Sequence, residues 1–199
     1  MPPKRRRSYH HGDLSRALVA EAIGTIQRGG VQALTLRAVG EKLGVSRTAL
    51  YRHFPDKSAL LAAVGREGFR TLRDRLRHAW RRRGGGQSGL EAMGAAYVQF
   101  ALDHPSHYRV MFGGHLAGKS ARDPELEREG AAAFETLVEA LVSLQQQGTI
   151  RLDPPLRLAQ YIWASVHGIA MLAIDGQLRE PAQGIVDLAN ERIRTGIAL

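Results

Sequence analysis

Thr35-Leu36-Arg37-Ala38-Val39-Gly40-Glu41-Lys42-Leu43-Gly44-Val45-Ser46-Arg47-Thr48-Ala49-Leu50-Tyr51-Arg52-His53-Phe54 is the stretch from which the fold is read. Thr35 is a good N-cap, and Leu36, Val39 and Leu43 fall at i, i+3 and i+7, which predicts a short helix. Gly44 suits a left-handed turn that ends it. Ser46 then caps a second short helix, in which Leu50 and Phe54 lie four apart and face inward with Val45. Two short helices joined by a glycine turn form a helix-turn-helix plan. The major groove of DNA admits one helix, whose apolar face must be buried so that its polar face is left to read bases. Arg47 and Thr48 sit at the base-reading N-terminal end. Arg47 suits guanine O6 and N7, and Thr48 a base edge or a thymine methyl. Tyr51 and His53 lie farther along the exposed side, toward phosphates, and Arg52 faces either backbone or bases.

Outward from this stretch the pattern stays helical. Leu14, Leu18, Ala22 and Ile26, widened by Val19 and Ile23, predict a supporting helix from Asp13 to Arg28, stopped by Gly29-Gly30. Asp56 caps a long helix reaching about Arg82. Residues 81–89 read as a loop, and further helices follow over 90–102, 106–112, 123 to about 148, 154–174 and 182–193. The helix at 154–174 is apolar almost all round, which places it centrally in a bundle or under a partner chain. No strand pattern or repeat is present, so the expected class is all-α. A basic arm and helix-turn-helix head over 1–58 joins a helical body over 59–199.

Charge divides along the same line. Residues 1–83 carry 19 Lys and Arg against 6 Asp and Glu, and residues 84–199 carry 9 against 13. A basic head on a mildly acidic body suggests a polyanion-binding unit attached to a body with another task. Phosphate contacts are expected at helix starts, from Thr35 and Lys57, and from Arg5, Arg6 and Arg7 on the arm, which either enter a minor groove or act as a solvated tail. Cysteine is absent, which excludes disulfides and Cys-ligated metals. No apolar run spans a membrane and no secretory signal is read at the N-terminus, so a cytoplasmic protein is expected. His104, His107 and His115 lack an acidic cluster that would make a metal site. Gly84-Gly85-Gly86 lacks the Lys-Ser/Thr of a phosphate loop, and no G-x-S-x-G elbow occurs. The expectation is a non-enzyme without cofactor or metal.

The stretch above, continued through Pro55-Asp56-Lys57-Ser58-Ala59-Leu60-Leu61, resembles the DNA-binding head of the TetR family of transcriptional regulators. Tyr9-His10-His11-Gly12-Asp13-Leu14 and Trp163-x-x-x-His167-Gly168 resemble a subgroup named for its Trp-His-Gly motif. The resemblance implies about nine helices, a homodimer, and repression of an operator relieved by a small ligand. It also implies phosphate contacts from Tyr51, His53 and Lys57, and a four-helix dimer interface built from 154–174 and 182–195.

For a ligand site in the body, the candidates are Met93, Tyr97, Phe100, Phe112, Phe134, Leu137 and Trp163, with Tyr97, His107 and His167 as polar anchors. The same aromatic and Met residues at helical spacing serve equally well as core. Gly168 is expected to allow close helix approach, and His167 to hydrogen-bond within the fold or across a dimer. Two functions stay open: a ligand-released repressor, and a constitutive or architectural DNA-binding dimer whose body senses nothing.

Overall fold

Among the described residues, 11–116 and 123–198 of a computed structural model, the chain forms nine helices: α1 (His11–Ala33), α2 (Leu36–Lys42), α3 (Arg47–His53), α4 (Lys57–Arg82), α5 (Gly86–Asp103), α6 (Pro105–Phe112), α7 (Pro124–Gln146), α8 (Pro155–Ile174) and α9 (Ala182–Ile197). The arm carrying Arg5, Arg6 and Arg7 lies outside the described residues. Short polar side chains start several of these helices by satisfying first-turn amides that have no carbonyl partner. Thr35 Oγ1 accepts from the Ala38 amide at 3.2 Å, Ser46 Oγ from Ala49 at 3.3 Å and Asp56 Oδ1 from Ala59 at 2.7 Å. Asp123 accepts from both Glu125 and Leu126 at 3.0 Å, with Pro124 at the first helical position of α7. Gly44 turns the chain between α2 and α3 at φ 65°.

The glycine pair interrupts the first helix as expected: Gly30 takes φ 73°, ψ 175°, outside the helical region, and a short further helical segment reaches Ala33. Two boundaries differ from the sequence expectation. The last helix runs to Ile197, four residues past Ile193. The fifth helix starts at Gly86, four residues before Leu90. The reason is packing: a Cβ at Gly89 would lie 2.8 Å from the Trp80 ring, so this glycine lets α5 begin directly against the end of α4.

The core falls into three buried clusters. One holds the head: Leu18, Val19, Ala22 and Ile26 of α1, Leu36 and Val39 of α2, Leu50 and Phe54 around α3, and Leu60, Leu61 and Val64 of α4. That cluster also contains Val110 of α6, Leu116, and Leu126 of α7. A second gathers α4, α5, α6, α8 and α9 around Tyr97, Phe100 and Tyr108. A third closes the far end with Leu141, Leu144, Ile150 and Ile197.

The apolar girth of α8 resolves into two faces. Leu158, Ile162, Val166 and Ile169 are buried, whereas Leu156, Tyr161 and Leu172 are exposed. On α9 the buried side is Val186, Ile193 and Ile197, while Leu188, expected on the same stripe as Ile193, is exposed.

Overpacking of a close helix contact costs about 1–3 kcal/mol, whereas removing a mid-helix glycine with room around it gains about 0.5–1 kcal/mol. Gly89→Ala is therefore expected to lower, and Gly24→Ala to raise, the urea midpoint of unfolding, because the Gly24 site faces only the flexible Arg28 guanidinium.

Candidate DNA interface and ligand cavity

The head presents its polar residues as the helix-turn-helix plan requires. Leu50 is 2% exposed and Phe54 5%, with Val45 packed beside them, while Arg47, Thr48, Tyr51 and Arg52 stand on the solvent side of α3. His53 is half-buried. Close approach of α2 to α3 depends on Gly40, where a Cβ would lie 2.9 Å from Leu50 Cδ2. Lys42 Nζ donates to Glu21 Oε1 at 2.8 Å, which ties the end of α2 to α1. That bond, together with the Arg28 guanidinium, holds the Glu21 carboxyl below its ordinary range. Thr35 keeps its hydroxyl proton, since its oxygen acts as acceptor in the cap. Lys57 Nζ donates to the Val31 carbonyl at 2.8 Å, leaving two of its three N–H donors.

In the body, α4, α5, α7 and α8, with the end of α6, line a cavity of about 380 Å³ that is partly open to solvent. Met93, Tyr97, Phe112, Phe134, Leu137 and Trp163 all line it, joined by Phe69, Leu72, Leu76, Leu90, Val166 and Gln160. Three sequence candidates do not line it. Phe100 is fully buried beside Tyr108, with the Arg75 guanidinium 5.8 Å over its ring. His167 stands behind the wall and stacks on Tyr108. His107, proposed as an anchor, instead meets Glu67 of α4 at 3.5 Å. At Gly168 no atom lies near enough to need a glycine, so within one protomer it mediates no close approach.

Sequence reasoning missed the hydrogen-bond cluster at the cavity wall, because it joins α5, α6 and α8. Trp163 Nε1 donates to Tyr97 Oη at 3.0 Å, and the Tyr97 and Tyr108 hydroxyls lie 3.0 Å apart. His167 Nδ1 is 2.7 Å from Tyr108 Oη and 3.1 Å from Tyr97 Oη. Burial holds His167 below its usual pKa, so the ring is neutral at pH 7; Nδ1 accepts from Tyr108 in one tautomer and donates to it in the other. Burial likewise pushes Tyr97 up to about 12 and Tyr108 higher still, so both phenols stay protonated.

Sequence reasoning also missed the seam between α4 and its neighbours. A Cβ at Gly68 would collide with Met111 Sδ and lie 3.2 Å from His107 Cβ, so α6 rests on the α4 backbone. The i, i+3 spacing of Gly65 and Gly68 was the available signal. Beside it, Arg66, Arg70 and Arg73 of α4 pair with Asp123, Glu125 and Glu129.

A head of this geometry, joined to a helical body, defines a DNA-binding regulator of the helix-turn-helix class. The family model "Bacterial regulatory proteins, tetR family" matches residues 18–64, and "Tetracyclin repressor-like, C-terminal domain" matches residues 90–194. The chain belongs to the TetR family of transcriptional regulators, whose members act by binding DNA rather than by catalysis. A protein of unknown function from Rhodococcus sp. RHA1 superposes with a TM-score of 0.88 at 33% identity, over 98% of this chain and 100% of that one. The uncharacterised HTH-type transcriptional regulator Rv0681 of Mycobacterium tuberculosis is 28% identical over 82% of this chain and 72% of its own. The nucleoid occlusion factor SlmA of Haemophilus ducreyi is 27% identical over 61% of this chain, and the match spans 59% of that relative's length.

The depressed pKa of His167 has a sign. The neutral form is favoured on folding, so its stabilisation is complete above the unfolded value near 6.5 and is lost as pH falls through the lower folded value. His167→Gln, which supplies an uncharged acceptor, is expected to lose less stability than the parent between pH 7 and pH 5 in urea titrations. Equal acid sensitivity in the two proteins would refute a neutral His167.

Proposed function

We propose that this TetR-family protein is a sequence-specific repressor that binds a palindromic operator as a homodimer and leaves it when a small, largely apolar ligand fills the body cavity. One observation carries the reading: α6 belongs to both halves of the device. Phe112, at its end, lines the cavity, while Val110, two residues earlier, is fully buried in the cluster that holds the head. Side chains two apart on a helix point to different sides, so displacement of Phe112 by a ligand moves Val110 with it. The long α4 runs through the same seam, with Leu60 and Val64 in the head cluster and Leu72 and Leu76 on the cavity.

In this reading residues 1–58 form the DNA-binding unit and 59–199 the sensing and dimerising unit. The cut falls inside α4, and the head cluster continues across it. The exposed Leu156, Tyr161 and Leu172 of α8 and Leu188 of α9 support dimerisation through 154–174 and 182–195, since such side chains gain from burial against a copy. Two heads must sit one helical turn of DNA apart, about 34–36 Å, to occupy successive major grooves. A ligand releases DNA to the extent that it prefers a body conformation with another spacing. Arg47 and Thr48 read bases, with Arg52 on either bases or backbone. Tyr51, His53, Lys57 and Thr35 meet phosphates, supplemented by Arg5, Arg6 and Arg7. The protein acts in the bacterial cytoplasm, at the nucleoid when DNA-bound.

A second reading, an architectural DNA-binding dimer without an effector, is favoured by the likeness to a nucleoid occlusion factor. The apolar cavity weighs against it, because a body that only dimerises gains stability by filling such a space.

Selection of bound fragments from genomic DNA by the purified protein is expected to return a palindrome. On that operator Arg47→Ala should cost about 1–3 kcal/mol and relax preference at one position. Lys57→Ala should weaken specific and random DNA alike and lower the salt slope by about 1. Equal loss on specific and random DNA for Arg47→Ala would remove its base-reading role.

A further inference from the structure

The cavity wall is chemically one-sided. Among the described residues that line it, none is Asp, Glu, Lys, Arg or His, and only Tyr97, Gln160 and Trp163 bring polar side-chain atoms. Gln160 is exposed, so it marks the mouth between α7 and α8 rather than the interior. A carboxylate or ammonium inside would be desolvated without an ionic partner, a cost that small ligands do not recover. At about 380 Å³ the space lies toward the small end of the roughly 300–1,000 Å³ that small-molecule sites occupy.

Hydrogen-bond accounting then singles out one proton. A phenol has one proton to give and two lone pairs to receive with, an indole N–H only gives, and a neutral imidazole Nδ1 without hydrogen only receives, once. Trp163 Nε1–H is spent on Tyr97 Oη at 3.0 Å. With the His167 proton on Nε2, the Tyr108 hydroxyl takes the single lone pair of Nδ1 in the shorter bond, 2.7 Å, and the Tyr97 proton is left the Tyr108 oxygen at 3.0 Å or a share of the used Nδ1 at 3.1 Å. With it on Nδ1, that N–H donates to Tyr108 Oη, the Tyr108 proton goes to Tyr97 Oη, and the Tyr97 proton has no acceptor left in the cluster. The Tyr97 hydroxyl thus stands between cavity-lining Trp163 and the Tyr108–His167 pair behind the wall, and carries the least committed proton of the cluster. An acceptor arriving in the cavity takes that proton without leaving a buried group unsatisfied, since Tyr97 still receives from Trp163 and Tyr108 stays bonded to His167.

We propose that the cavity takes a neutral, largely hydrocarbon molecule bearing one hydrogen-bond-accepting oxygen of the carbonyl, ester or ether kind, and that Tyr97 is the residue that recognises that oxygen. The inference rests on the cavity being the effector site, as proposed above. It adds a consequence for coupling: the cluster that reads the oxygen includes Tyr108, which sits on α6 two residues before Val110 of the head cluster.

The test titrates the full-length protein with three probes of similar size: 1-tetralone (a neutral ketone), tetralin (its hydrocarbon) and 1-naphthoate (an anion). Binding is followed by calorimetry and by the rise in unfolding temperature that any native-state ligand produces. Tetralone is expected to bind about tenfold more tightly than tetralin, the worth of one hydrogen bond to a buried donor, and naphthoate more weakly than either. In Tyr97→Phe, which keeps the ring, the ketone preference should collapse to near one while tetralin binding persists. Equal affinity of tetralone and tetralin for the parent protein would overturn the role of Tyr97 and leave the effector cavity standing, with no variant needed. Preference for naphthoate would overturn the neutrality of the ligand. If none of the three bound, the cavity would fail as a ligand site, and the ligand-release reading with it.

Discussion

The packing of α6 onto α4 through Gly65 and Gly68 is the contact on which the rest of the arrangement depends. A side chain at either glycine would push into Leu126 and Leu116 or into Met111 and His107. Because neither position has one, α6 lies against the α4 backbone, and Val110 reaches the head cluster with no exposed surface. Burial of such an aliphatic side chain contributes about 1.5–3 kcal/mol, and here it is contributed across a boundary between two functional halves. The head is consequently not a self-sufficient three-helix unit. Its apolar core is completed by residues that belong to the body.

This sharing gives the fold its mechanical character. Interiors are packed like solids and transmit displacement rather than absorb it. Phe112 faces the cavity, Phe69 meets it edge-on with ring centroids 5.5 Å apart, and Phe69 also packs against the head cluster. The ion pairs of Arg66, Arg70 and Arg73 with Asp123, Glu125 and Glu129 hold α7 along the same helix. They are partly solvated, so they serve to fix register more than to add stability. In the proposed function, a ligand filling the cavity acts on α6 while these pairs keep α4 and α7 in register, which directs the motion toward the head.

Much of this was legible in the sequence, for identifiable reasons. Thr35, Ser46 and Asp56 are caps by chemistry alone, and Leu36, Val39, Leu50 and Phe54 follow helical periodicity, so the head could be read locally. The glycine pair at 29–30 was read as a stop, and Gly30 at φ 73° does break the helix there, but the short helical segment that follows it to Ala33 was not foreseen. The loop at 81–89 was drawn too long because the Trp80 contact that organises Gly85 and Gly89 is tertiary. Six of the nine proposed cavity residues line the space, since large apolar side chains on facing helices converge. Phe100, His107 and His167 could not be told apart from them, because helical spacing does not say which side of a wall a residue occupies. The Tyr97–Tyr108–His167–Trp163 cluster joins three helices far apart in sequence, and no local pattern announces it.

Amide hydrogen exchange on the full-length chain, comparing the parent with Val110→Ala, tests the shared core most directly. Truncating a fully buried valine opens a small cavity and lowers local stability by about 1–2 kcal/mol. The account predicts that amides of α1, of α2 and α3, and of the first turns of α4 lose protection together with those of α6. Loss confined to α6 and the cavity wall, with the head as protected as in the parent, would contradict it.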